Sequence, residues 1–169
     1  MGNPMSLTPK PLNYWKLTDS VYNGANYLVP NSSLDGYIFN FDNQYAQTQS
    51  STPSILNGAT SLSISAWVKF NTVSSGSTAY VQTIISNWES SDTQYLLRWI
   101  NSPSWSSPRI QLYLNDGTTS YIAEKDFNVL VDTWYLITGV WDGSNLRVYG
   151  NFTPGADVAF SGTLDTSSN

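Results

Sequence analysis

Residues 61 to 70, SLSISAWVKF, alternate between apolar and polar side chains almost without a break. The apolar side chains that fall on one side are Leu62, Ile64, Ala66, Val68 and Phe70. A period of two predicts a β-strand with one face buried in a core. Trp67 is the exception, because it falls on the side that serine and lysine mark as polar. Either that side is also covered, or Trp67 is displayed to a partner.

The composition of the whole chain is typical of a protein made of strands. Of its 169 residues, 40% are hydrophobic and 14% aromatic, but only 11% are charged. Most of the polar residues are Ser, Thr, Asn and Gln, as expected of short strands joined by turns rich in hydroxyl and amide groups. A chain of this length can form one domain with a sizeable core.

The apolar spacing of an amphipathic helix is missing, since Gly, Pro or paired serines interrupt each long window. We therefore predict strands at residues 12–17, 27–29, 36–41, 61–70, 81–88, 94–100, 109–115, 120–124, 134–141, 145–150 and 156–160. Asp116-Gly117 predicts a hairpin with a type I′ turn, and DGSN at 142–145 predicts a second of the same kind. Together these signals predict an all-β fold, a two-sheet antiparallel sandwich of the jelly-roll type.

Charge and residue types exclude several classes of function. The net charge is −5 with only seven basic residues, which argues against nucleic acid as a partner. There is no cysteine and no histidine, so disulfides, thiolate zinc sites, histidine-ligated metals and catalytic triads built on those residues are excluded.

The N-terminal stretch MGNPMSLTPKPLNYWKL lacks the basic start and apolar run of a signal peptide. No apolar run reaches the ~18 residues of a membrane span, so we expect no membrane insertion. A protein that is assembled inside a cell and exposed only after lysis, as in a virus particle, fits both features. A lost or trimmed leader is the alternative.

Several segments, taken in order, resemble a known family. They are PLNYWKL, GYIFNFDNQYAQ, SLSISAWVKF, TIISNW, YLLRWI, IQLYLNDG and DTWYLITGVWDGSNLRVYGN. Together they resemble the laminin-G-like jelly rolls of the concanavalin A-like lectin/glucanase superfamily, over residues 12–169, with residues 1–11 as an N-terminal extension. The opening SLTPKPLNYWKL followed by LVPNSSL is similar to the versions of this domain in structural proteins of marine phages.

This sequence departs from the family pattern at two places. The hairpin tip that those domains write as YVNG is VYGN here, residues 148–151, so the turn after Tyr149 differs. The sequence also stops at TLDTSSN, where the resemblance implies further strands. We therefore expect a sandwich that lacks its last strands, with either a longer natural chain or a partner that completes the sheet.

The resemblance raises the question of catalysis. Glucanases of this superfamily carry an E-x-D-x-E pattern on one strand, because retaining hydrolysis needs two carboxyl groups about 5 Å apart. The two glutamates here, Glu89 and Glu124, are far apart in the sequence. The predicted strands carry no two acidic residues at positions i and i+2. We therefore expect a protein that is not an enzyme.

Calcium is a second implication, since laminin-G-like domains often bind it with oxygen ligands from rim loops. The candidate ligands are Asp42, Asn43, Asp116 and Asp142. The alternative is ordinary turn chemistry, in which each side chain bonds its own backbone. We expect turn chemistry to account for most of them and keep calcium as the one candidate cofactor.

Aromatic side chains are the candidates for sugar binding, because flat rings stack on pyranose rings at little cost in entropy. Trp105, in the polar loop NSPSWSSP, is the strongest candidate, followed by Trp88 and then Tyr22. The tryptophans inside predicted strands are expected to pack within the fold. For Trp67 we expect cover by the chain's own loops or by a neighbouring subunit, and not a role as a sugar platform.

These patterns lead to two hypotheses on function. The first is a non-enzymatic, lectin-like sandwich on the exterior of a virus particle, as a capsid decoration, fibre or appendage subunit. The second is a glycan-binding module of a larger secreted or cell-surface protein, with an extracellular location. Expected partners are other virion proteins, surface glycans and further copies of the same chain in a homo-oligomer.

Overall fold

The structure is a computed structural model that describes residues 27–31, 36–40, 56, 58–74, 78–88 and 93–165, with the backbone alone for 27–31, 36–40, 88 and 93. The chain divides into two compact units, residues 1–50 and 51–169. Among the described residues, no helix has the length and apolar character needed to span a bilayer. The predicted strand at 12–17 and the predicted boundary between residues 11 and 12 lie outside the described residues.

In the first unit, the structure describes one hairpin. Strand β1, Tyr27–Asn31, pairs antiparallel with β2, Gly36–Asn40. Both strands lie where the sequence predicts them, within two residues at each end.

The described part of the second unit consists of two antiparallel sheets. Its strands are β3 (Leu62–Lys69), β4 (Tyr80–Trp88), β5 (Thr93–Asn101), β6 (Arg109–Asn115), β7 (Ser120–Asp126), β8 (Trp134–Trp141), β9 (Asn145–Gly150), β10 (Thr153–Pro154) and β11 (Val158–Ala159). One sheet has the order β10-β9-β8-β3 with β11 also on β9, and the other has the order β4-β5-β6-β7. The predicted all-β sandwich is confirmed.

The opening stretch supplies β3 and part of the core. Strand β3 pairs along its whole length with β8, so that Leu62 faces Trp141 and Trp67 faces Leu136. Ile64 is 9% exposed and belongs to the core, as does Phe70 just beyond the end of the strand. The predicted alternation is therefore confirmed, since the apolar side of SLSISAWVKF faces the other sheet.

The core between the sheets is apolar and closely packed. The four-stranded sheet contributes Leu97, Trp99, Ile110, Leu112 and Leu114, and the five-stranded sheet contributes Ile64, Ile137, Trp141, Leu146 and Val148. A Cβ atom added at Gly139 would lie 2.8 Å from Cδ1 of Leu112, too close for a real contact. Glycine at this position in β8 therefore lets the two sheets approach each other.

Two tryptophans anchor loops to this core. Trp99 is 1% exposed and donates its indole N–H to the carbonyl oxygen of Phe127 at 3.0 Å. Trp141, also 1% exposed, donates to the carbonyl oxygen of Phe160 at 2.9 Å. Each ring is buried with its polar atom satisfied, so each supplies apolar packing without a desolvation penalty.

The two Asp-Gly hairpins form as predicted, but the predicted type I′ geometry is wrong. In a type I′ turn both central residues have positive φ, whereas here only the glycines do, with 92° at Gly117 and 91° at Gly143. The backbone N–H of Asp116 donates to Thr119 O at 3.2 Å. The bond from Asp142 N to Asn145 O has the same length, so the aspartate is the first residue of each turn and not one of its two central residues.

The hairpin after Tyr149 contains an aromatic residue in an unusual backbone conformation. Gly150 pairs with Thr153, and the two residues between them, Asn151 and Phe152, have φ of 47° and 69°. Two positive φ values are the mark of a type I′ turn, in which glycine is preferred at the second position. Phe152 occupies that position and is 75% exposed. The departure from the family pattern therefore keeps the hairpin and strains its tip.

The end of the chain matches its prediction least well. The strand expected at 156–160 is only Val158–Ala159, and the short pairing at Thr153–Pro154 was not predicted. Phe160 and Leu164 instead belong to the core cluster between the two sheets. Phe160 N donates to Ser144 O, and Asp165 N donates to Asn115 O, so this segment runs from one sheet to the other.

We predict that Phe152→Gly stabilises the fold by about 1 kcal/mol, because glycine adopts positive φ without the clash of a Cβ atom. Urea unfolding followed by tryptophan fluorescence measures the change. Phe152→Ala is the matched control, since it removes the ring and keeps the Cβ atom. Equal stability of the glycine and alanine variants would contradict the assigned strain.

Candidate binding face

The outward side of the four-stranded sheet carries an ordered set of planar polar side chains. On β6 they alternate with the buried Ile110 and Leu112, so they point away from the core. The register places Arg98 of β5, Gln111 of β6 and Glu124 of β7 in one row across the sheet. We call this surface the arginine face, and it consists of Arg98, Trp105, Arg109, Gln111, Tyr113, Glu124 and Asp126.

Hydrogen bonds connect the row from strand to strand. Nε of Arg98 donates to Oε1 of Gln111 at 2.9 Å. Nε2 of Gln111 in turn donates to Oε2 of Glu124 at 2.9 Å. Gln111 is only 4% exposed, so both ends of a buried amide are satisfied and its orientation is fixed.

A second arginine holds two carboxylates of β7. Nη1 of Arg109 lies 2.6 Å from Oε1 of Glu124, and Nε lies 3.2 Å from Oδ1 of Asp126. The two carboxylate side chains are 39% and 61% exposed, so these are surface ion pairs that position the groups more than they stabilise the fold.

Trp105 lies at the end of this face, above Arg109. Its backbone N–H donates to Ser102 O at 3.1 Å in the loop between β5 and β6. The guanidinium carbon of Arg109 lies 4.5 Å from the centre of the indole ring, within the range of a cation–π contact. Trp105 is half-buried, and the guanidinium occupies one side of its ring. Its role in sugar binding stays a prediction.

The sequence prediction that no strand carries two acidic residues at i and i+2 is wrong. It placed the end of the strand that begins at Ser120 at Glu124, whereas β7 continues to Asp126. Both carboxylates bond the same guanidinium and therefore lie on one face. The third position of the E-x-D-x-E pattern is Asn128, which has no carboxyl group.

The structure describes two of the four candidate calcium ligands, Asp116 and Asp142. In both, the carboxylate accepts hydrogen bonds from backbone N–H groups of its own turn. Oδ1 of Asp116 accepts backbone N–H bonds from Thr118 at 2.8 Å and Thr119 at 2.7 Å. Oδ1 of Asp142 accepts from Ser144 at 2.9 Å and Asn145 at 2.8 Å. These bonds stabilise the charged carboxylates and hold the pKa of Asp116 and of Asp142 below the usual value.

These two aspartates are poor ligands for a cation in this arrangement. The second oxygen of Asp142 faces Nη1 of Arg147 at 3.5 Å, and a positive charge there opposes a bound metal. The described residues contain no group of three or more acidic side chains that could hold a metal ion. Asp42 and Asn43 lie outside the described residues, so calcium stays a prediction that depends on them.

The remaining predicted residues are placed as follows. Tyr22 lies outside the described residues, and Trp88 ends β4 with its backbone paired to Thr93. Trp67 is on the outward side of the other sheet and is 53% exposed. The prediction that loops of its own chain cover Trp67 is therefore wrong, and cover by a neighbouring subunit stays a prediction.

Sequence reasoning found Trp105 on this face and missed its other six members. The strand RIQLYLN shows the signal, since Arg109, Gln111 and Tyr113 alternate with apolar residues that face the core. Arg98 is harder to find because YLLRWI is apolar on both sides, and its outward neighbours Leu96 and Ile100 are 4% and 7% exposed.

A known family matches most of this chain. Residues 40–169 match a laminin-G-type family model whose description is the concanavalin A-like lectin/glucanases superfamily. No curated protein and no solved structure matches the chain.

We predict that stability falls with decreasing pH as the two turn carboxylates are protonated. Because the pKa of each is lower in the folded state, their contribution is complete above the unfolded value of about 3.9 and is lost as the pH falls through the folded value. Urea unfolding between pH 7 and pH 3 measures it. The double variant Asp116→Asn and Asp142→Asn keeps acceptors for the turns but does not titrate there, so its stability falls less.

Asp132→Asn is the control for the loss of a surface carboxylate. If the stability of the wild type and that of the double variant depend on pH in the same way, the assignment of Asp116 and Asp142 as stabilising turn carboxylates is contradicted. If added calcium raises the melting temperature of the wild type but not that of the double variant, these aspartates are metal ligands instead.

Proposed function

The chain belongs to the concanavalin A-like lectin/glucanases superfamily, and we propose that it is a non-enzymatic, lectin-like module that binds glycans. The arginine face is the observation that supports this proposal. It combines an aromatic ring with planar groups that donate and accept hydrogen bonds, the two features that sugar recognition uses.

The fixed geometry of the face supports a binding role. Gln111 is held at both ends, and Arg109 is held by two carboxylates and covered by the ring of Trp105. Groups that are already oriented lose little entropy when a ligand binds. The network lies on the side of the sheet that faces away from the core cluster, and the side chains most accessible to a ligand are those of Glu124 and Asp126, with Arg109 partly exposed.

We also propose that the protein does not catalyse glycoside hydrolysis, because its two neighbouring carboxylates are bonded to one arginine. Glu124 and Asp126 share one guanidinium, and Asn128 stands where the glucanase pattern has its second glutamate. A retaining glycosidase needs one carboxyl group as nucleophile and another as acid on opposite sides of the scissile bond. Two carboxylates that bond the same arginine are not arranged for these roles.

We further propose that this module acts on the exterior of a virus particle, in attachment or as a capsid decoration, fibre or appendage. The support is the similarity of SLTPKPLNYWKL and LVPNSSL to phage structural proteins. A homo-oligomer would present several copies of a weak glycan site together. Mass spectrometry of purified particles tests this role, which is contradicted if the protein is absent from them and is instead secreted within a larger chain.

For glycan binding, we predict that the protein binds oligosaccharides on an array and that Trp105→Ala weakens binding about tenfold, because a stacked ring contributes on the order of 1 kcal/mol. Trp67→Ala is the matched control on the other sheet and should bind as the wild type does. Incubation with the bound glycan should release no new reducing ends.

Two results would contradict this proposal. The first is an array on which no glycan binds. The second is binding that survives Trp105→Ala and disappears with Trp67→Ala, which would place the site on the five-stranded sheet.

A further inference from the structure

The three arginines of this protein differ in how their charge is balanced. Arg147 on β9 bonds Asp157 at 2.5 and 2.7 Å and lies 3.5 Å from Asp142. Arg109 likewise contacts two carboxylates. Arg98 bonds only the neutral amide of Gln111, and no carboxylate in the described part of the chain forms an ion pair with it.

The surroundings of Arg98 make the absence of a counter-charge energetically unfavourable. The residue is half-buried in the arginine face, between Leu96 and Ile100 on the same side of β5. Burial lowers the pKa of the Arg98 guanidinium, and the smaller, opposing influence of Tyr113 does not offset it. This is the direction expected for a charge that has lost water without gaining a full counter-charge. An uncompensated, partly desolvated cation destabilises a fold unless a ligand supplies the missing charge.

The geometry of Arg98 indicates which ligand would do so. Its Nε–H bonds Gln111, so the plane of the guanidinium is fixed while its two terminal amino groups have no acceptor among the described residues. Those groups form a planar fork that matches the two oxygens of a carboxylate. Tyr113 lies diagonally across β6, since its direct partner is Leu96, and offers a ring beside the fork.

We propose that Arg98 binds the carboxylate of an acidic sugar, so that the arginine face recognises glycans that contain uronic acids. This inference rests on the proposed glycan-binding function and specifies its ligand. The net charge of −5 gives the protein no general attraction for polyanions, so recognition must come from this local positive charge.

The test uses isothermal titration calorimetry with tetragalacturonate and its fully methyl-esterified form, which differ in the charge of the carboxyl groups. We expect the acid to bind and the ester to bind about tenfold more weakly or not at all, with affinity for the acid decreasing at high salt. Arg98→Gln should weaken binding of the acid about tenfold. Arg98→Lys, which keeps the charge but not the fork, should give an intermediate loss.

Arg147→Gln is the matched control, because it removes an arginine from the other sheet, and it should leave binding unchanged. Thermal melting shows whether each variant is folded. Arg98→Gln removes an uncompensated charge and also removes the donor to the buried Oε1 of Gln111. These two effects on stability oppose each other, so the variant should remain folded with a melting temperature close to that of the wild type.

The outcomes separate this inference from the function on which it rests. Equal binding of acid and ester, or full binding by Arg98→Gln, would overturn the carboxylate site while leaving a glycan-binding function in place. Tighter binding of a sulfated galactan tetrasaccharide that also depends on Arg98 would overturn the assignment to a carboxylate. Absence of binding to these and to neutral glycans would contradict both proposals.

Discussion

The buried indole rings of Trp99 and Trp141 are the constraint on which the rest of this sandwich depends. They belong to opposite sheets, and each donates its N–H to a loop carbonyl, Phe127 O for one and Phe160 O for the other. Trp99 also contacts Phe70 at the end of β3, with ring centres 5.5 Å apart. Trp141 stacks on Phe160, with ring centres 4.6 Å apart. The core therefore holds the loops at Phe127 and Phe160 in place as well as the two sheets. If either loop moved away, the buried indole N–H would lose its acceptor.

The arginine face follows from the same packing. Ile110, Leu112 and Leu114 must face the core, so the residues between them must face outward. The register of β5, β6 and β7 then brings Arg98, Gln111 and Glu124 into one row. A shift of one residue in β6 would bury the polar set and expose the apolar one, so the site is as well specified as the core. What distinguishes the face is its charge balance, because Arg109 is neutralised by its neighbours and Arg98 is not.

Alternation of residue type predicted most of this fold, and turns and single side chains account for what it missed. Strands β6, β8 and β9 have the bounds that the sequence predicts, because each ends at turn residues. Asp-Gly predicted the hairpins but not the position of the aspartate within each turn, since the backbone N–H bonds to the aspartate carboxylates compete with a type I′ turn. Trp67 was expected to be covered, yet it is 53% exposed, because alternation tells which sheet face a residue occupies and not what lies above that face. The cross-strand contacts of the arginine face were likewise inaccessible, as they depend on register between strands.

The central claim is that ligands bind the outward face of the four-stranded sheet. Tryptophan indole and arginine Nε–H signals in ¹H–¹⁵N spectra test it directly, because both residue types occur on both sheets. On titration with an oligosaccharide that binds, the signals of Trp105, Arg98 and Arg109 should shift, while those of Trp99 and Trp141 stay unchanged because their N–H groups are buried and bonded. Shifts confined to Trp67 and Arg147, on the five-stranded sheet, would contradict the account.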